Sequence, residues 1–360
     1  MVISLNMERA ARDRMSVQVS PLAELMACLH VLAEPDHHPE SRRWVDGVRA
    51  RLSPPLWAEI FRFGPLWARY RMRLFYPADR RGPDSLGEQI ASLASAAPDR
   101  FVPLAAHAIR GRDLGFSTAA DVLADQTWVA ECHRRSFNRG ELASSLVADP
   151  AAFAADLADV LLACEREFFA EEWLALEPRL VRAAEIIEER VKTWGPLPAV
   201  ESVSGMASSR GSTSTVFFDK LQTASGAVDE HGLILVPSVR AWPHVMVKLD
   251  PGLPVVVQYL VSEVRGEASA QSQTQLRRRL FALAEPGRWE LCRHLIGEPI
   301  TTRELAVRTG LSEPAVSRHL SALRNAGLVS SQRDGRQVFH RMHTASILHL
   351  GQDVLSALIR

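Results

Sequence analysis

The alternation of apolar and polar residues near the C-terminus predicts a helix whose two faces differ in chemistry. Val316, Leu320 and Leu323 recur at helical spacing and predict one apolar stripe. Ser312 precedes the stripe at the capping position, where a hydroxyl accepts a backbone N–H. The opposite face carries side chains that form hydrogen bonds or bear charge, namely Glu313, Ser317, Arg318, Ser321 and Arg324. Such a helix packs one face on a core and presents the other to a polar partner.

A shorter helix precedes this one, and a hairpin follows it. Thr301 or Thr302 is placed to cap the first helix, and Gly310 supplies the residue that ends it. Two alternating runs, Leu328–Gln332 and Gln337–Met342, flank an Asp-Gly pair and predict a tight hairpin. Helix, turn, helix and hairpin is the order of a winged helix-turn-helix, although a helix pair used only for packing is the alternative.

The charge of this region distinguishes it from the rest of the chain. The whole sequence contains 42 Lys and Arg and 42 Asp and Glu, so its formal net charge is zero. From Arg277 to Arg341 there are twelve Arg, no Lys and six acids, which gives a local charge of +6. A cationic segment in a neutral protein is typical of binding to a phosphate backbone. The sequence therefore predicts double-stranded DNA as a partner.

The side chains expected at DNA come from three places in this segment. The second helix offers candidates for base edges or adjacent phosphates, which are Ser312, Glu313, Ala315, Ser317, Arg318 and His319. Arg318 is the best candidate for a bidentate guanine contact, whereas His319 borders the apolar stripe and is also a candidate for a structural role. Backbone contacts are expected at the start of the first helix and from the hairpin, at Thr302, Arg303, Gln332, Arg333, Arg336 and Arg341.

The runs PGRWELCRHLI and ITTRELAVRTGLSEPAVSRHLSALRNAGLVSSQRDGRQVFHRM resemble the winged-helix domain of ArsR/SmtB-type transcription regulators. The resemblance covers residues 276–360 and implies a homodimer whose first and last helices pair across a two-fold axis. Two recognition helices would then read a palindromic operator. Apolar residues available for dimerisation are Leu280, Leu348, Val354, Leu355 and Leu358, although the last helix could instead pack within its own subunit.

The fold class predicted for the whole chain is mainly α with a small antiparallel β part, as an N-terminal helical and β module followed by the winged helix-turn-helix domain. Within the long helical stretch Pro150–Thr193, Pro178 is expected to divide one helix from the next. The predicted regions are a disordered tail at 1–15, a helical sensor domain at 16–200, β-rich residues 201–262, a linker at 263–275 and the DNA-binding and dimerisation domain at 276–360.

The N-terminal region has a resemblance of its own. The runs SPLAELMACLHVL and GLILVPSVRAWPHVMVKLDPGLPVVVQYLV look like the uncharacterised domain that precedes the winged helix in many actinobacterial ArsR-like regulators. This resemblance implies a regulatory module without naming an effector. Aromatic residues in the region predict either a pocket for a small-molecule effector or the core of a helical bundle. The pocket candidates are Trp57, Phe61, Trp67, Trp128, Phe169 and Trp173.

Metal sensing and catalysis find little support in the residues. The stretch that matches the thiolate-sensor helix of the resembled family, Arg303–Arg308, contains no cysteine. His349 and Asp353 are four residues apart but make only two ligands, whereas zinc usually takes four. The chain also lacks a Gly-rich phosphate loop, an HExxH run and a GxSxG run. We therefore expect no metal, no cofactor and no enzymatic activity.

The remaining composition favours a cytoplasmic protein. The four cysteines are widely separated, which is typical of a reducing compartment, and no apolar run reaches the length of a membrane span. The predicted function is a sequence-specific transcription regulator that is controlled through its N-terminal domain by a non-metal signal. We expect a repressor, although an activator is equally compatible with the sequence. One alternative is a constitutive or architectural DNA-binding protein whose N-terminal domain only oligomerises or recruits a protein, and the other is an enzyme fused to a DNA-binding domain.

Overall fold

The structure is a computed structural model of the chain. It describes residues 2–35, 38, 41–68, 70–80, 85–204, 207–209, 214–219, 223–241, 245–261, 273–296, 299–334, 337–348 and 350–359. The chain forms two compact units, Met1–Gly266 and Glu267–Arg360, called unit 1 and unit 2 below. The chain is mostly helical with small sheets, which confirms the predicted fold class. None of the described helices is both long and apolar enough to cross a membrane.

Along the chain, the helices of unit 1 follow an N-terminal pair of strands and precede the remaining strands of the unit. Its helices are α1 (Pro21–Ala33), α2 (Arg42–Arg51), α3 (Pro54–Arg62), α4 (Leu86–Ala94), α5 (Pro98–Arg110), α6 (Ala119–Ala124), α7 (Thr127–Arg135), α8 (Phe137–Ala148), α9 (Pro150–Cys164), α10 (Ala170–Trp194) and α11 (Pro196–Ser202). Its strands are β1 (Val2–Asn6), β2 (Met15–Val17), β3 (Ala207–Ser209), β4 (Thr215–Asp219), β5 (Ala224–Ala227), β6 (Leu233–Ser238), β7 (Met246–Lys248) and β8 (Val255–Leu260).

The core of unit 1 surrounds α1. Ser20 caps this helix by accepting the Ala23 N–H at 3.2 Å, and twelve of its thirteen residues are buried. Ile234 of β6 and Val256 of β8 belong to the same hydrophobic cluster as the helices. The predicted helical and β-rich regions therefore share one core, because the apolar faces of both are buried together.

The first strand corrects the prediction of a disordered tail. β1 lies between β4 and β5, antiparallel to the former and parallel to the latter. Ile3 and Leu5 alternate with polar residues and are buried. This short period-2 pattern is sufficient for a strand when later strands supply partners on both sides.

The second sheet corrects the prediction that the strands are all antiparallel. Its order is β2-β6-β8-β7, with β2–β6 and β6–β8 parallel and β7–β8 antiparallel. β6 is buried at every position, and so are the first five residues of β8. Strands covered on both faces have continuous apolar runs rather than alternation, and such runs are typical of parallel pairing. The runs LILV and VVV in this sequence are of that kind.

The long helical stretch is interrupted before Pro178, not at it. Between α9 and α10 lies a π-helical turn, Glu165–Phe169, and Pro178 falls inside α10. A proline removes one backbone donor from a helix. Leu176 and Leu180 on either side of it are buried, and this packing holds α10 in one piece.

Unit 2 has the predicted order of elements. It comprises α12 (Gln273–Ala284), α13 (Pro286–Leu295), β9 (Ile300–Thr301), α14 (Thr302–Thr309), α15 (Glu313–Asn325), β10 (Val329–Asp334), β11 (Gln337–Met342), α16 (Thr344–Leu348) and α17 (Leu350–Ile359). The strands form a sheet of order β10-β11-β9. Most of the predicted linker, residues 263–272, lies outside the described residues, and its last three positions begin α12.

Candidate nucleic-acid interface

The two faces of α15 are divided as the sequence predicts. Val316, Leu320 and Leu323 are at most 2% exposed and pack in the core of unit 2. Ser317 and Arg318 lie on the solvent side, as do Ser312 and Glu313, whereas Ala315 is half-buried. A core-anchored helix holds its exposed face rigid, which a reading surface requires.

The turn before α15 is fixed by its backbone. Thr301 caps α14 by accepting the Glu304 N–H at 3.3 Å, and Gly310 ends the helix at φ +70°. Ser312 occupies the N-cap position of α15, but its side chain makes no capping bond. Ser312 therefore occupies the predicted N-cap position, but its exposed hydroxyl does not accept the predicted hydrogen bond from the backbone of the first helical turn.

Thr302 belongs to a hydrogen-bonded chain that joins α14 to the hairpin. Its hydroxyl lies 3.0 Å from Nε2 of His340, and Nδ1 of the same ring lies 2.8 Å from the Ser331 hydroxyl. His340 is buried, and this burial, together with the charge of Arg324, lowers its pKa. The neutral imidazole of His340 in β11 therefore links β10, through Ser331, to Thr302 at the start of α14. Arg303, next to Thr302, is exposed.

His319 contacts another helix rather than projecting freely. Its Nδ1 lies 3.5 Å from the carboxylate of Glu285, which caps α13 by accepting the N–H groups of Gly287 and Arg288. These bonds lower the pKa of Glu285, the Arg288 N–H making the largest contribution. The structural alternative for His319 is thus supported by its geometry. Glu285 was absent from the sequence-based candidates, although an acid directly before Pro286 is a readable N-cap signal.

The wing extends from β10 to β11. Arg333 pairs with Val338 and Gln332 with Phe339, while Phe339 also pairs with Thr301 of β9. Gln332, Arg333 and Arg341 are exposed, and Arg336 lies outside the described residues. The pairing of β11 with β9 places the middle of β11 beside the start of α14.

The arginines of unit 2 divide into two groups. Arg279 and Arg288 donate to backbone carbonyls within unit 2, and Arg293 and Arg308 form ion pairs with acids on their own helices. The other exposed arginines of the second helix, the wing and their neighbours are Arg277, Arg278, Arg303, Arg318, Arg324 and Arg341, and Arg333 is exposed but has an interaction within the chain. Fewer arginines are therefore available on the surface of unit 2 than the twelve counted in the sequence from Arg277 to Arg341.

The dimerisation candidates are only partly described. Leu280 is 41% exposed and Leu358 is 73% exposed, while Val354 is half-buried. The side chains of Leu348 and Leu355 lie outside the described part of the structure. Asp353 lies 3.5 Å from Arg279, so the last helix also packs against α12 of its own chain.

The six aromatic candidates for an effector pocket do not form one lining. Trp67, Trp128 and Phe169 are buried in the core of unit 1, as the helical-bundle alternative predicts. Trp57 and Trp173 are partly buried against that core, and Phe61 is 42% exposed. Aromatic residues at helical spacing fill the core here because the helices of unit 1 pack around α1.

Clusters of metal-ligating residues are sparse in the described part of the chain. Asp229, Glu230 and His231 lie together in a turn, with ligand atoms within 4.8 Å of one another. The Asp229 carboxylate already accepts the His231 N–H at 2.9 Å, so it orders the turn. His349, one of the two residues considered for metal on the last helix, lies outside the described residues.

Comparison with known proteins matches both parts of the chain. Residues 1–266 match a family of unknown function (DUF5937), and residues 285–331 match bacterial regulatory proteins of the arsR family. The transcriptional regulator NmtR of Mycobacterium tuberculosis is 33% identical over 81 residues, which are 22% of this chain and 68% of that protein. The regulator YgaV of Escherichia coli is 35% identical over 82 residues, 22% of this chain and 80% of YgaV.

A solved structure gives a similar match. The ArsR-like transcriptional regulator from Rhodococcus sp. RHA1 is 30% identical, with a TM-score of 0.22, over 22% of this chain and 76% of that one. The two named relatives are likewise matched over about a fifth of this chain.

Proposed function

The chain belongs to the ArsR family of transcription regulators and, through residues 1–266, to the DUF5937 family, and we propose that it is an operator-specific repressor controlled through unit 1. DNA binding is the coarse function of this family, and the proposal concerns its specificity and its control. The observation that carries it is the exposed face of α15, which presents Ser317 and Arg318 opposite a fully buried stripe. The relatives named above are regulators, and we extend a regulatory rather than catalytic role to unit 1.

In the proposed complex α15 enters the major groove and the wing follows the flanking backbone. Arg318 offers two parallel N–H donors, which match O6 and N7 of guanine. Arg303 in α14 and Arg341 in β11 are exposed and would bind phosphates. Thr302 is bonded to His340 of β11 and His319 lies against Glu285, which caps α13, so we assign them a positioning role.

A homodimer would place two such faces on one palindromic site. Leu280 and Leu358 are the described candidates that leave apolar surface exposed, and covering them with a second copy would remove that surface from water. Sedimentation of the purified chain at micromolar concentration tests this directly. A monomer under those conditions contradicts the dimer.

Control through unit 1 is proposed as a shift between populations. A small-molecule signal that binds one dimer geometry more tightly than the other changes the spacing of the two recognition helices. The signal proposed is not a metal ion, because the helix that carries thiolates in metal sensors has none in Arg303–Arg308.

The test is binding of the purified chain to fragments of its own upstream DNA across a salt series. We expect tight binding to one fragment, with log affinity falling linearly as log salt rises, because bound phosphates release counterions. A transcription assay on that fragment then separates repression from activation. Weak binding of equal strength to every fragment, with or without small molecules, would instead support an architectural protein.

A further inference from the structure

A cleft of about 360 Å³ lies in unit 1 beside α4 and the start of α5. Leu22, Phe75 and Leu93 provide buried apolar walls, and Ser92 and Ser95 add hydroxyl groups. Its other polar lining residues include Gln18, Ser20 and Gln89, and clefts of a few hundred Å³ that offer both apolar walls and polar groups are typical of small-molecule sites. None of the six aromatic residues predicted from the sequence lines it.

One charged side chain of this cleft has unused donors. Arg100 lines the cleft, and its Nε and Nη2 atoms are buried without a hydrogen-bond partner among the described residues. These two atoms form the edge of a guanidinium that binds a carboxylate through two parallel N–H···O bonds. A buried donor without an acceptor costs free energy, and because both atoms are buried in the empty cleft, a ligand reaches them only when the half-buried Arg100 side chain turns towards it.

The surroundings of Arg100 favour an anion. Arg73 lies nearby, and its pKa is lowered to about 10, mainly by burial and further by the charge of Arg100. Asp250, at 3.4 Å from Arg73, is already paired with that arginine. Ala97, which also lines the cleft, occupies the N-cap of α5 without a side chain to cap it, so the positive end of a thirteen-residue helix adds to the potential, and Asp99 in the first turn offsets part of it. Asp79 is the acid among the lining residues, and it is solvent-exposed.

We propose that this cleft binds a small organic carboxylate with an apolar body, and that Arg100 turns its unpartnered Nε–Nη2 edge to the two oxygens of the ligand. One guanidinium edge matches the charge and the two oxygens of a monocarboxylate, whereas a phosphate dianion would leave charge unpaired. The apolar body lies against Leu22, Phe75 and Leu93. Binding itself is independent of the proposed function, and its role as the repressor's signal rests on that function.

The experiment uses the full chain with phenylacetate and hexanoate as probes. Phenylacetamide has the same shape without the charge, and inorganic phosphate has charge without the apolar body. We expect the two carboxylates at millimolar concentration to raise the midpoint of thermal unfolding and to give a binding isotherm by calorimetry, because a ligand of the native state stabilises it. The amide and phosphate are expected to do neither. Failure of both carboxylates, or equal effects of amide or phosphate, overturns the proposal.

Variants assign any binding to the cleft. Arg100→Met removes the guanidinium and is expected to weaken phenylacetate binding roughly ten- to hundredfold, the range of a lost charge-assisted hydrogen bond. Ser92→Trp, at an exposed position of α4, fills the cleft and tests it even if Arg100→Met fails to fold. Arg134→Gln removes an exposed arginine outside the cleft as the matched control. Wild-type affinity in both cleft variants overturns the assignment.

The regulatory role is read separately, from operator affinity with and without phenylacetate. We expect the carboxylate to change the affinity of the wild type and not that of Ser92→Trp. An unchanged wild type overturns the role as signal while the fragment test still stands. Conversely, carboxylate binding by a chain that binds all DNA alike would refute the operator-specific function and leave the cleft intact.

Discussion

Two arginines of unit 1 and two of unit 2 are used in opposite ways. In unit 1, Arg71 and Arg73 are at most 2% exposed, and Arg73 donates to three backbone carbonyls. In unit 2, Arg318 and Arg341 stand on the surface of a helix and a strand. A buried guanidinium must be satisfied by its own chain or by a ligand small enough to reach it, whereas an exposed one is available to a long polyanion. The difference separates recognition of DNA from recognition of a small molecule.

The largest expected effect is on the buried side of this comparison. Arg73→Met removes the donors of three carbonyls and leaves Asp250 without its partner, so we expect a loss of about 3–5 kcal/mol in the free energy of unfolding. Urea unfolding followed by circular dichroism measures it. Arg112→Met, at an arginine with 59% of its side chain exposed, is the control and should change little. Equal unfolding midpoints for the two variants would show that burial of Arg73 is not energetically important.

A smaller effect is expected on the exposed side. Arg318→Ala should weaken operator binding by about 1–3 kcal/mol and relax the sequence preference, because a bidentate base contact is lost. Fluorescence anisotropy with operator and scrambled DNA measures both. Arg293→Ala removes the same charge from α13, where the arginine pairs with Glu290, and should leave the preference unchanged. If Arg293→Ala had the same effect as Arg318→Ala, charge alone would account for binding and α15 would not be the reading element.

The smallest expected effect concerns His340, which is buried within the otherwise exposed polar surface of unit 2. Its pKa is lowered in the folded state, so the unfolded chain binds the proton first as pH falls. The stability of the wing should therefore decline below about pH 6.5, the ordinary pKa of histidine, until the lowered value is reached. Hydrogen exchange at β10 and β11, corrected for intrinsic rates, measures this loss. His340→Gln should flatten the profile, and an unchanged profile would mean that His340 does not titrate there.

The spacing of apolar residues along the sequence predicted the features that depend on neighbouring residues in the chain. The stripe of α15 follows from a spacing of three and four residues, and its burial confirms the prediction. The bond from Thr302 to His340 spans 38 residues, and no local period reports it. Arg100 was likewise not a candidate, because the cleft that it lines is formed by residues brought together from α1, from positions 74–79 and from α4. Tertiary contacts of this kind decide which polar group is free and which is engaged.

The central position of β1 has a consequence for synthesis of the protein. Its partners, Thr215–Asp219 and Ala224–Ala227, follow it by more than 200 residues. At about 5–20 residues per second, a ribosome needs roughly 10–40 s to deliver them. During that interval Ile3 and Leu5 have no sheet to join, so this strand is accessible to chaperones on every nascent chain. The β3-β4-β1-β5 sheet is consequently a late event in the folding of unit 1, completed only when α1 through α11 have already left the ribosome.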